Sequence, residues 1–224
     1  MFLGHFGLAF GAKKATPKTS LGTLVFAAQF ADMLWPILLL LGVEHVRIVP
    51  GLLPASPFDF TSYPISHSLV AQLGWGALLG LIYFAFRRDA RGALLAGCLV
   101  PTHWLLDFIA HRPDMPIYPG GAKYGLGMWN SIPVTLVVEY VLFAAGIATY
   151  LSITHAKDRT GNYALWSLLL LLGGIYAASV FGPPPPNVST LAWSALAIWL
   201  IVPWSVWADR HRGVRAESKE SRSR

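Results

Sequence analysis

The sequence predicts an all-α, polytopic membrane protein, with about six transmembrane helices and a short N-terminal re-entrant or interfacial helix. Three observations carry this. Of the 224 residues, 54% are hydrophobic and only 12% charged, against about 25% charged in soluble domains. Six apolar runs each approach the roughly 20 residues that a bilayer-crossing helix needs. Basic residues crowd alternate connections, the bias that orients spans with cationic loops on the cytoplasmic side.

Residues 1–12 (MFLGHFGLAFGA) are apolar but too short to span, which places His5 in the re-entrant or interfacial piece. Lys13, Lys14 and Lys18 follow this stretch rather than precede it. An uncleaved signal-anchor over 21–43 is therefore expected, not a cleavable leader. The connection 44–65 holds four prolines and Gly51 and reads as an irregular outer loop. Runs 66–86 and 92–110 meet at the inner turn Arg87-Arg88-Asp89. A Pro- and Gly-rich outer loop covers 111–130, and a second inner turn, 155–161, follows the run 131–154. The last runs, 162–182 and 188–208, flank a four-proline stretch and hold no ionisable residue; Trp193, Trp199, Trp204 and Trp207 read as interface anchors and lipid-facing packing. A single integral-membrane domain is thus expected over 1–208, with the site within 1–140 and 162–208 as scaffold. A disordered, basic cytoplasmic tail is expected over 209–224.

With both termini cytoplasmic, only Arg47, Arg112 and Lys123 of the 17 lysines and arginines lie outside. The net charge of +6 is then a topology signal and implies no nucleic-acid partner. Cys98 stands alone, which excludes disulfides and a thiolate zinc cluster.

Within the apolar runs lie Asp32, His67, His103, Asp107 and Glu139. An unpaired charge at bilayer depth costs at least ~2.5 kcal/mol, so such residues face one another or a wet cavity. His103 and Asp107 are four apart, on one helical face about 6 Å from each other; His111 continues that face. Counting ~1.5 Å per residue brings Asp32, His103 and Glu139 to similar depth, with His5 close by. His67 falls nearer the outer face, so a compact site requires a kink or a later helix start. The bland alternatives are a buried His–Asp pair that packs helices, a lone packing carboxylate at Asp32, a protonated Glu139 and an interfacial His67. Asp114 reads as a turn residue, and His45, His155 and His211 as solvated. No nucleophile elbow, phosphate-binding Gly-rich loop or His-Glu-x-x-His is present.

Gly4-His5, Ala31-Asp32-Met33, Ser66-His67-Ser68 and Thr102-His103-x-x-x-Asp107, in that order, together resemble the YdjM-like family of inner-membrane proteins, described as predicted membrane-bound metal-dependent hydrolases. Met115-Pro116-Ile117-Tyr118-Pro119 echoes that family's Pro-rich stretch. The chain departs from the pattern at Leu34, where a second aspartate is usual, and over Thr61–Pro64, where a further histidine is usual. Both departures bear against a fully occupied two-metal centre. More loosely, the order of ligand types is similar to zinc-dependent phospholipase C.

The resemblance implies a bacterial inner-membrane location and a zinc-type hydrolase. His5, Asp32, His67, His103 and Asp107 are the expected ligands of a divalent metal, with His111 or Glu139 as further ligand or general base. A membrane lipid, or another phosphoester, is the expected substrate on grounds of location. The competing classes are an ion-coupled transporter using Asp32, Glu139 and His103, and a non-catalytic scaffold.

Overall fold

Among the described residues, five helices are long and apolar enough to cross a membrane, or six if a bent pair is counted as one span; these are the lengths and composition of an integral membrane protein. The structure is a computed structural model and describes residues 1–215. Helix α1 (Leu3–Ala12) precedes the bent pair α2 (Leu21–Ala28) and α3 (Phe30–Leu40), which meet at Gln29 at an angle of 54°. A hairpin, β1 (His45–Leu53) and β2 (Ser56–Ser62), leads to α4 (Leu69–Arg87) and α5 (Ala90–Ala110). A two-residue ladder, β3 (Met115–Pro116) with β4 (Lys123–Tyr124), and a 3-10 turn (Met128–Asn130) precede α6 (Ile132–Ile153). After β5 (Thr154–Ala156) come α7 (Arg159–Phe181), α8 (Val188–Ala195) and α9 (Ile198–Arg210), then β6 (Arg212–Val214). Helices α8 and α9 together make one 23-residue span.

Three expectations are corrected. The chain is not purely helical: 44–65 is mostly the β1–β2 hairpin rather than an irregular loop. Val46 pairs with Phe60 and Ile48 with Phe58, with Arg47 opposite Asp59. The prolines that argued against a strand avoid the ladder, for Pro50, Pro54 and Pro57 all sit where pairing is interrupted, as a missing N–H requires. The tail does not become irregular at Asp209, because α9 runs to Arg210 and β6 pairs with β5; the remainder of that tail lies outside the described residues. Helix α4 starts at Leu69, not 66, capped by Ser68 Oγ on the Ala71 N–H (3.3 Å). His67 therefore belongs to the preceding loop and is free of that helix's depth.

Small residues set the spacing of the helices around the site. A Cβ on Gly146 would come 2.0 Å from Gly7 O, and one on Gly76 2.4 Å from Gly97 O. These glycines let α1 lie against α6, and α4 against α5, at backbone contact. The Asp209 carboxylate ties the far ends together, accepting from Lys13 Nζ (2.6 Å), Leu21 N (3.0 Å) and Tyr150 Oη (2.8 Å). The docking of α1 is what carries His5 inward. Gly146→Ala is expected to cost about 1–3 kcal/mol through overpacking, read as a lower denaturant midpoint in detergent micelles. An unchanged midpoint would mean that α1 does not pack this closely.

Candidate metal centre

His5, Asp32, His67, His103 and Asp107 come from four separate segments and meet at one place. Ligand atoms of His5, His103 and Asp107 lie within 4.8 Å of one another, as do those of Asp32, His67 and His103. The bend at Gln29 and the late start of α4 let Asp32 and His67 reach the level of α5.

Four atoms form a cage. His103 Nε2 is 3.2 Å from Asp107 Oδ2 and 3.6 Å from Asp32 Oδ1. His67 Nε2 is 3.5 Å from Asp32 Oδ1 and 3.8 Å from Asp107 Oδ2. Tetrahedral ligands with bonds of ~2.0–2.1 Å would stand about 3.3 Å apart; these four distances come near that, but the residues fall into two overlapping triads that share His103 rather than into one group. Asp107 Oδ1 points away from this cage and accepts from the Met1 amino group and from His5 Nε2 (3.1 Å). His111 Nε2 stands at the rim, 4.0 Å from Asp107 Oδ2.

Hydrogen bonds behind the histidines decide which nitrogen faces the cage. His103 Nδ1 lies 2.9 Å from Ala28 O; a carbonyl only accepts, so Nδ1 carries the proton. His111 Nδ1 lies 2.9 Å from Asp114 Oδ1 and is a donor by the same logic. His67 Nδ1 lies 2.7 Å from Ser66 Oγ, which in turn donates to Glu44 Oε2. Since Ser66 has one hydroxyl proton and the carboxylate takes it, His67 Nδ1 must donate too. Each neutral ring therefore turns an Nε2 lone pair toward Asp32 and Asp107.

The Met1 amino group offsets part of the Asp107 charge, but lone pairs and two carboxylates facing one another, buried, call for further positive charge among them. Protons on the Nε2 atoms would supply some. However, the His5 and His103 rings stack at 3.7 Å and 4°, so charging both would place like charges in contact. Burial also pushes the His111 imidazole below its ordinary value. Among the described residues, His103 Nε2 and His5 Nδ1 are buried without a hydrogen-bond partner. Anchored Nδ1–H groups with inward Nε2 lone pairs are the arrangement of metal-ligating histidines, and the residues present fit a divalent cation.

The remaining expected site residues divide. Glu139 is buried nearby, but its carboxylate accepts the Phe2 and Gly4 N–H groups (2.9 and 2.8 Å). It caps the first turn of α1 instead of reaching the cage. Asp114, expected as a turn residue, holds His111 and lies 3.0 Å from Tyr63 Oη. Burial, reinforced by the neighbouring Asp114 charge, raises the Tyr63 phenol well above its ordinary value, so it stays protonated as a donor. Glu44, Ser66 as a relay and the Ala28 carbonyl were not singled out from sequence. Only the i, i+3 spacing of His111 and Asp114 offered a local signal.

A cavity of about 520 Å³ adjoins the cluster, with Asp32, His67, Asp107 and His111 in its wall. Trp35 and Tyr176 also line it, and their Nε1–H and O–H are buried without a partner among the described residues. A buried polar group left unpaired costs about 1–3 kcal/mol. The last two helices, expected only as scaffold, supply part of the cavity wall through Ser194, Ile198 and Trp204. Comparison with family models, curated proteins and solved structures gives no match for this chain.

Proposed function

We propose that the protein is a membrane-embedded, metal-dependent hydrolase of ester or phosphoester bonds, its ion held by Asp32, His67, His103 and Asp107. The observation that carries this reading is the four-atom cage in which both histidines turn Nε2 inward because their Nδ1 protons are engaged behind them. Two imidazoles and two carboxylates make a donor set suited to zinc. A divalent ion held by these residues would supply a water acidic enough to ionise near neutral pH and a positive charge for a substrate oxygen.

The protein's own groups do the rest. His111 is oriented by Asp114, presents a free Nε2 at the cavity wall and is the proton acceptor in this reading. His5 steadies Asp107 through its outer oxygen. Glu139 acts at one remove, by holding α1 in place. The resemblance to the YdjM-like family and the distribution of basic residues support an inner-membrane location with both ends cytoplasmic.

The test is elemental analysis of purified protein together with His67→Ala and His103→Ala. About one divalent ion per chain is expected in the parent, and its loss in both variants. A parent without bound metal, or variants that keep it, would overturn the reading. A transporter would differ by moving solute in proteoliposomes that contain chelator.

A further inference from the structure

The cavity beside the cluster is mixed in character. Its wall includes Asp32, His67 and His111, the donors Trp35 and Tyr176, and Leu171 and Ile175 of α7 with Ile198 and Ile201 of α9. Its volume, about 520 Å³, falls within the ~300–1,000 Å³ of small-molecule sites. Part of its apolar wall is made by residues that also reach the protein surface. Leu171, Ile175 and Leu200 all line it, yet they are 38%, 41% and 67% exposed, on spans whose outer surface meets hydrocarbon. Trp204 also lines it, and its Nε1 donates to Ala164 O of α7 at 3.0 Å.

The wall also carries two unpartnered donors. Trp35 is 7% exposed and Tyr176 4%, and both Nε1–H and O–H lack partners among the described residues. Tyr176 stacks on Phe2 (6.2 Å, 4°) and Trp35 meets the His67 ring edge-on at 6.4 Å. Both are therefore close to the cluster, and both are positioned to donate to acceptor oxygens of a ligand. One cavity that combines apolar wall reaching the protein surface, two unpartnered donors and a cluster able to hold a cation has the composition that suits an amphiphile.

We propose that this cavity binds a glycerophospholipid that enters from the bilayer between α7 and α9. One acyl chain lies along Leu171, Ile175, Ile198 and Ile201. The ester or phosphate oxygens accept from Trp35 and Tyr176, which brings the headgroup linkage to the cluster. For the fate of that linkage the inference rests on the hydrolase reading; for binding it does not.

The experiment measures binding of phosphatidylethanolamine carrying one pyrene-labelled acyl chain, in mixed detergent micelles, alongside metal content. Ala195→Trp adds bulk at a wall residue that is not one of the cluster's ligands and is expected to weaken probe binding at least ~10-fold with metal content unchanged. Tyr176→Phe keeps volume and Trp35→Phe trims one ring; each removes one donor, and about a tenfold loss is expected from the pair. These two also serve if Ala195→Trp fails to fold. Equal probe binding by the parent and all folded variants would overturn the inference, as would equal affinity for glycerophosphoethanolamine, which lacks acyl chains. In either case parent metal content is unaffected, so the hydrolase reading is judged separately. Probe binding that responds to the variants in a protein without metal would support the lipid site and remove the hydrolase.

Discussion

Asp107→Asn is expected to abolish the metal-dependent stabilisation of this protein. Asp107 is the residue on which the cluster converges: its Oδ2 faces His67, His103 and His111, and its Oδ1 holds His5. Asparagine keeps the volume but replaces one oxygen with an NH2 group and removes the charge that the cation would meet. A ligand that binds only the folded state stabilises it by about 2.7 kcal/mol at 100 times its Kd. The parent, stripped by chelator and refilled with zinc, should gain that amount in denaturant titrations in micelles. Asp107→Asn should gain nothing at the same zinc concentration. An equal zinc-dependent shift in both proteins would show that the ion, if any, sits elsewhere.

Glu44→Gln is expected to weaken metal binding by ~10–100-fold, the usual cost of disturbing a group behind a ligand, although residue 44 does not touch the cage. The cause is a reversal of proton direction. Glu44 Oε1 accepts the Ile65 and Ser66 N–H groups (2.8 and 2.9 Å), and Oε2 accepts the Ser66 hydroxyl. A glutamine that keeps its oxygen on the two backbone donors must face Ser66 with its NH2. Ser66 then donates to His67 Nδ1, and the His67 proton moves to Nε2, where the lone pair was needed. Nitrogen-15 NMR of labelled histidine should report His67 protonated at Nε2 in the variant and at Nδ1 in the parent. An unchanged tautomer with unchanged affinity would refute the relay. Asp114→Ala should act comparably through His111, with a smaller effect on metal because His111 stands at the rim.

Much of the helical framework was legible because apolar runs of spanning length would be insoluble outside a bilayer. Asp32, His103 and Asp107 stood out for a related reason: ionisable groups amid such runs are costly unless something compensates them. What escaped the sequence depended on neighbours remote along the chain. The hairpin was hidden by Pro50, Pro54 and Pro57, whose harmless placement shows only once the ladder's interruptions are known. Glu44 looked like a loop carboxylate, because its partners lie 21 and 22 positions onward. Asp114 looked like a turn residue, since nothing local reveals that Tyr63 and His111 bracket it. Glu139 was legible as a buried acid but not as a cap, because its donors belong to a helix more than 130 residues earlier.

The interruption at Gln29 leaves the last carbonyl of α2, that of Ala28, serving an imidazole. A peptide oxygen is present whatever amino acid occupies the position, so no codon change at 28 can delete it. The histidines at 67 and 111 lean instead on side chains that one base change can erase. The centre therefore has one mutationally insulated member and two vulnerable ones. Variants of a random library that lose metal binding should accumulate at Glu44, Ser66 and Asp114, with position 28 conspicuously tolerant of any residue small enough to fit.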